Sequence, residues 1–343
     1  MNKSRVKILL KNPFKVARLV LLKDVPIFAH IYLTRRCNLR CAKCRVIERQ
    51  TPELPLSEWK KIMDKMSEWG TAIVTVQGGE AMLREDIYDI LDYASKKFSV
   101  TFFTNATLLD KEKIDRLIAT GINNLGMSLD SLSAAKEAKM GRGSQAVKKV
   151  IETMEYMQTL KKKPKVTINM VAVKQNIDEV IDLAKFVNEH DAYFSIAVLE
   201  STPGERWWFR NYAPELEFKE EDYPKVEKVF NELIEMKKKG YKISNDTEQL
   251  KNAIKYIKGE FPKQCKAAKL FYSVNSDGTF MGCQDIAPIP KRVDEMKSIK
   301  EAWQFKSMVE DIKTCPGCYY GCYVSLINLT KKPWKFLFEE LTS

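Results

Sequence analysis

The sequence is poor in histidine, has no long apolar run and carries no acidic residue at its start. His30 and His190 are its only histidines, which leaves little material for an imidazole-built metal site. The best apolar run of the leader, Leu19–Leu22, ends at Lys23 and Asp24, far short of the ~20 residues a membrane-spanning helix requires. Glycine (14) and proline (13) are too scarce in 343 residues for a collagen-like or disordered chain, and no internal repeat or low-complexity tract is present. Residues 1–23 hold Lys3, Arg5, Lys7, Lys11, Lys15, Arg18 and Lys23 and no acid, so they supply +7 of the net +12. The rest of the chain is only mildly basic, which argues against a nucleic-acid-binding field spread over the fold.

What the chain does have is cysteine, eight of them, in a sequence that is 45% apolar. That is enough core for one barrel of about 250 residues with an appendage. A large core and no signal-peptide pattern point to a reducing, cytoplasmic setting, where clustered cysteines bind metal more often than they pair.

Strand and helix patterns alternate after the leader. Strands are predicted over Phe28–Thr34, Ala72–Gln77, Val100–Thr104, Asn124–Leu129, Val166–Val173 and Ala192–Leu199. Helices are predicted over Ser57–Trp69, Asp86–Lys96, Lys111–Ala119, Gln145–Leu160, Ile177–Glu189 and Tyr223–Lys239. Six such units at short spacing predict an α/β fold, a partial (β/α)6 TIM-like barrel, with its chemistry at the C-terminal strand ends. A further helix near Asp246–Lys258 marks the exit from it. The expected division is a basic amphipathic extension (1–24), a barrel (25–240) and a small C-terminal hairpin/helix iron–sulfur module with a tail (241–343).

The first cysteines, Cys37, Cys41 and Cys44, follow the first strand directly. Three thiolates in eight residues can ligate three irons of a cubane and leave the fourth iron open, as a catalytic zinc keeps an open position. A zinc knuckle is the alternative, but it needs a fourth ligand and none lies near. Arg35, Arg36, Arg40, Lys43 and Arg45 either favour thiolates and an anionic cluster or form a solvated loop.

This segment resembles the Cys-x3-Cys-x2-Cys motif of the radical S-adenosylmethionine (SAM) superfamily, and the likeness extends over about residues 28–322. Gly78-Gly79-Glu80, ending the second strand, looks like the family's Gly-Gly-Glu motif, which receives the amino group of SAM. The resemblance extends the SAM set to Thr104 and Asn105 after strand three, Ser128 and Asp130 after strand four, and Arg142. Ser128 would then touch the ribose or methionine part, and Arg142 the SAM carboxylate. Asn176 reads as a helix N-cap outside that set. The implied cofactors are SAM and a SAM-binding [4Fe–4S] cluster, served by an electron donor such as flavodoxin or ferredoxin.

Cys265, Cys283, Cys315, Cys318 and Cys322 surround a hairpin signal, Asn275-Ser-Asp-Gly278, and resemble the SPASM/Twitch extension. Five cysteines fall short of two fully cysteine-ligated cubanes, so one auxiliary [4Fe–4S] cluster is expected, with the spare cysteine open. A zinc ribbon is the competing reading. Gln284 stands where some maturases of that group carry an aspartate, leaving Asp285 as the candidate catalytic base.

The resemblance implies hydrogen abstraction from a substrate C–H bond. The basic leader, Arg206–Tyr212 and the aromatic tail Lys331–Phe338 suggest peripheral contact with the inner membrane face and a lipid or isoprenoid substrate. Each apolar stripe can equally pack on its own domain. Peptide or tetrapyrrole modification is the alternative within the enzyme class, and a non-catalytic iron–sulfur electron carrier is the alternative outside it.

Overall fold

The computed structural model describes residues 25–201, 208, 213–260, 263 and 265–331. The leader 1–24, the tail beyond Lys331 and all of Arg206–Tyr212 except Trp208 lie outside the described residues, and with them the segments expected to touch a membrane. Among the described residues no helix is long and apolar enough to cross a bilayer.

Six parallel strands run as β1 (Phe28–Tyr32), β2 (Ile73–Gln77), β3 (Ser99–Thr104), β4 (Asn124–Ser128), β5 (Lys165–Ala172) and β6 (Tyr193–Val198). Between them lie α1 (Leu56–Trp69), α2 (Ile87–Lys97), α3 (Lys111–Ala119), α4 (Ala134–Lys139), α5 (Gln145–Thr159) and α6 (Val180–Glu189). After β6 come α7 (Tyr223–Lys238), α8 (Thr247–Ile257), the hairpin strands β7 (Phe271–Val274) and β8 (Phe280–Met281), α9 (Lys306–Thr314) and α10 (Gly321–Lys331). The short helix α4 is not foreseen by periodicity; its six residues are too few to show a period.

The sheet order is β6-β5-β4-β3-β2-β1-β7-β8, with β6 and β8 at its two ends, so the barrel is partial. β7 runs parallel to β1, Phe28 opposite Phe271, and β8 returns antiparallel to β7. The C-terminal hairpin therefore extends the barrel sheet itself. Its turn works because Gly278 takes φ +80°, a region nearly free of cost only for glycine.

All five β1 residues are buried. Ala29, Ile31 and Leu33 pack in one core with Trp59 and Ile62 of α1 and Leu91 of α2. Trp59 is fully buried, so its truncation would cost about 3–5 kcal/mol. The alternate residues turn the other way: Phe28 and His30 meet Tyr323 of α10 edge-on, with ring centroids 6.2 and 5.5 Å away. The last helix thus covers the face of β1 opposite the helical layer. Helix starts are set locally, since Asp110 and Asp246 accept hydrogen bonds from Lys113 N–H and Gln249 N–H.

Candidate active site

The loop leaving β1 is held in place by backbone contacts that tolerate no side chain. Gly79 N–H donates to Thr34 carbonyl and Glu80 N–H to Arg36 carbonyl, each at 2.8 Å. A Cβ on Gly78 would lie 2.7 Å from Thr34 O, and one on Gly79 would overlap the Arg36 carbonyl. On the opposite flank, Arg40 and Ala42 donate to the carbonyls of Gly141 and Met140, both at 3.1 Å. Gly141, at φ +78°, has no room for a Cβ against Arg40 either. The cysteine loop is clamped between the β2 end and the segment after α4.

A cavity of about 850 Å³, counting the solvent-filled space at its mouth, opens beside this loop. Cys37, Cys41 and Cys44 line it together with Gly78, Gly79, Thr104, Asn105, Ser128 and Arg142. Three thiols and no other cysteine or histidine border it. That donor set fits a cubane with one iron left for an outside ligand. The polar lining from β3 and β4, with the Arg142 guanidinium, fits a charged amino-acid-bearing ligand such as SAM.

Glu80, Asp130 and Asp285 stand apart, because none of them lines the cavity. Glu80 is buried, and its carboxylate accepts from Thr104 Oγ1 (2.9 Å), Asn105 N–H (2.7 Å) and Met82 N–H (3.0 Å). It joins the ends of β2 and β3; burial pushes its pKa up despite these bonds. Asp130 accepts from Val171 N–H at 2.8 Å and from Lys43 Nζ of the cysteine loop. Burial opposes its charge, but Lys43 and Arg142 outweigh that and hold its pKa below the ordinary 3.8. Arg142 is itself gripped by buried Glu137, whose other oxygen accepts from Asp130 and Ser131 N–H at 2.7 and 2.8 Å. Lys43, Glu137 and Gly141 were not read from the sequence as site residues. Lys43 looked like one cation among five, and only the fold brings it to Asp130.

The basic residues of the loop divide as the sequence did not foresee. Arg35 is fully buried, donates from Nε to Asn275 Oδ1 (2.9 Å) in the hairpin turn, and stacks on Tyr32 and Trp208 at 5.3 and 5.0 Å. It is a strut between cysteine loop and hairpin rather than a solvated charge. Nor do the cations win at the thiols. Burial pushes Cys37 and Cys41 up, although Arg142 and Lys43 pull Cys41 down, and Cys44 reaches about 11. Metal loading must therefore displace protons.

The C-terminal cysteines are spread over residues 265–322, before the hairpin, after it and around α9 and α10. Cys283 follows β8, Cys315 caps α9, and Cys322 opens α10. Cys265 and Cys315 both lie close enough to Cys283 to raise its pKa, after burial, the larger cause. Cys318 and Cys322 pack against the apolar cluster of Phe28, Phe271 and Tyr323. Asp285 is buried with them: its N–H lies 3.4 Å from Cys283 Sγ, and Tyr320 Oη donates to its carboxylate at 2.9 Å.

Comparison with known proteins agrees with this geometry. The radical SAM superfamily matches residues 31–187. The chain is 26% identical over 172 residues to the PqqA peptide cyclase of Bradyrhizobium diazoefficiens, covering 49% of this chain and 45% of that one. It is 33% identical over 196 residues to the GTP 3′,8-cyclase of Listeria welshimeri, covering 53% and 57%. The chain thus spans about half the length of these curated relatives. The fold follows Streptococcus suis SuiB bound to S-adenosylmethionine, with a TM-score of 0.67 at 21% identity over 93% of this chain and 79% of that one. SuiB bound to precursor peptide SuiA matches similarly, with a TM-score of 0.68 at 20% identity over 93% and 77%. The cysteine trio at the end of β1 lies inside the segment that matches the radical SAM superfamily, residues 31–187.

Proposed function

We propose that this chain reductively cleaves SAM and uses the resulting 5′-deoxyadenosyl radical to abstract hydrogen from a substrate C–H bond. The observation that carries the proposal is the cavity at the ends of β1 to β4, bordered among the described residues by three thiols and no other cysteine, histidine, aspartate or glutamate. A [4Fe–4S] cluster held there, once reduced by an external electron donor, would supply the one electron that splits SAM into methionine and the 5′-deoxyadenosyl radical. Cys37, Cys41 and Cys44 hold that cluster, and Lys43 ties their loop to Asp130. Gly78 and Gly79 let the β2 end approach. Thr104, Asn105, Ser128 and Arg142 orient SAM, with Glu80 and Asp130 holding the strand ends from behind. In the C-terminal segment we assign one auxiliary cluster, ligated from among Cys265, Cys283, Cys315, Cys318 and Cys322. Asp285 remains the candidate base.

For the substrate we favour a peptide. SuiB, whose fold covers 93% of this chain, is described bound to a precursor peptide, and one curated relative is a peptide cyclase. The lipid reading rests on the leader and tail, which the described residues do not include. Anaerobic reconstitution with SAM and reductant tests the main proposal: 5′-deoxyadenosine should form and Cys37→Ala should abolish it. Absence of 5′-deoxyadenosine from fully iron-loaded protein would overturn it. Liposome flotation with and without residues 1–23 decides the membrane reading.

A further inference from the structure

One of the two histidines, His30, lies in the middle of β1, facing Cys322. Its ring is buried and packed edge-on against Phe28, centroids 4.8 Å apart, and against Tyr323. Both ring nitrogens are engaged. Nδ1 lies 3.2 Å from the amide Nε2 of Gln77, on the neighbouring strand β2, and Nε2 lies 3.6 Å from Sγ of Cys322. An amide nitrogen is a donor only, so Nδ1 is the acceptor there. The single proton of a neutral imidazole then sits on Nε2, because the bond made by one ring nitrogen sets the state of the other. That N–H points at sulfur. A protonated thiol is a poor acceptor, whereas a metal-bound thiolate is a strong one.

We propose that Cys322 is a ligand of the auxiliary cluster and that His30 is its fixed N–H donor, with Gln77 setting the tautomer. The inference rests on the auxiliary-cluster reading above and names which cysteine cannot be the spare one. His30 is a positioning residue: it acts on the cluster through Cys322. A hydrogen bond to a ligating sulfur stabilises the reduced, more negative cluster and so raises its potential. Gln77 also lines the SAM cavity, so one amide borders both sites.

The test uses the full chain, reconstituted anaerobically, with iron and sulfide counted and both clusters followed by EPR during redox titration. Wild type should hold about eight irons, two [4Fe–4S] clusters. His30→Phe should keep that iron and shift the auxiliary midpoint downward while the SAM cluster keeps its own. His30→Gln, which retains an N–H donor, should restore part of the shift. In wild type carrying ring-15N-labelled histidine, a weakly coupled imidazole nitrogen that is not directly bonded should appear at the auxiliary cluster, and this readout serves even if both variants fail to fold. An unmoved auxiliary midpoint in a folded His30→Phe protein would overturn the inference. So would a directly bonded nitrogen on the auxiliary cluster, or an auxiliary signal unaltered in Cys322→Ser. Wild type holding only about four irons would instead sink the auxiliary-cluster reading itself.

Discussion

In the loop after β1, three thiols lie within eight residues and are pinned on both flanks by backbone hydrogen bonds to Gly79, Glu80, Met140 and Gly141. In the C-terminal segment, five thiols span residues 265–322, and of these Cys283, Cys318 and Cys322 pack against the cluster of Phe28, Phe271 and Tyr323. The first region is a local motif clamped by neighbours. The second is assembled by tertiary contacts, among them a sheet extended by β7 and a helix laid across β1. Mutations should therefore act differently in the two. Damage to the first should remove SAM chemistry outright, and damage to the second should leave SAM cleavage measurable.

The largest effect expected is total. Cys37→Ala should lose one cluster's worth of iron and all 5′-deoxyadenosine formation, while Cys283→Ala loses auxiliary iron and retains cleavage without added substrate. If both variants were equally dead in that assay, the two regions would not be separable. Next, Gly79→Ala forces a Cβ into the Arg36 carbonyl and must displace the cysteine loop. A shift of about 1 Å at a reacting centre costs roughly 100-fold, so SAM cleavage should fall by about that factor at unchanged fold, read by circular dichroism. Wild-type turnover in that variant would show that the clamp is not needed.

Asp130→Asn breaks a buried ion pair and should lower the unfolding free energy of cluster-free protein by about 3–5 kcal/mol at pH 7, measured in denaturant. Its pH dependence has a definite sign. The folded pKa of Asp130 is below 3.8, so its contribution is present above about 3.8 and is lost as pH falls through the folded value. The difference between wild type and variant should shrink with acid below that point, and a constant gap would contradict the assignment. Smallest of the set, Asn275→Ala removes an acceptor from the buried Arg35 guanidinium that joins the two regions. It should cost about 1.5–3 kcal/mol and lower the thermal midpoint without abolishing iron binding to the first region.

How much could be read in advance follows the same divide. The strand and helix boundaries from β1 to α8 were legible to within two residues wherever buried residues recur with a period, as in Phe28–Tyr32 or Leu56–Trp69. The exception is the start of α6, where Ile177–Glu179 forms a 3-10 turn and the α-helix begins at Val180. The cysteine trio and the glycine pair were legible because their spacing is itself the device. Arg35 and Lys43 were not. Set among the other cations of the same loop, they differ in what lies across from them, Asn275 and Asp130, which are 240 and 87 positions away. The role of Glu80 was legible as a position but not as a contact, since its three donors come from the next strand end and turn. His30 counts in the sequence only as one of two histidines, and its neighbours Gln77 and Cys322 are supplied by β2 and α10.

The sequence by itself determined the alternation of strands and helices, the site at the strand ends and the three-thiol donor set, because each depends on spacing over fewer than about twenty residues. Only the tertiary structure decided that the hairpin continues the barrel sheet, that Arg35 and Lys43 are inward struts, and that Cys322 faces His30. Those outcomes depend on which distant segments share a buried surface, and a buried charge or imidazole takes its character from whatever is packed against it.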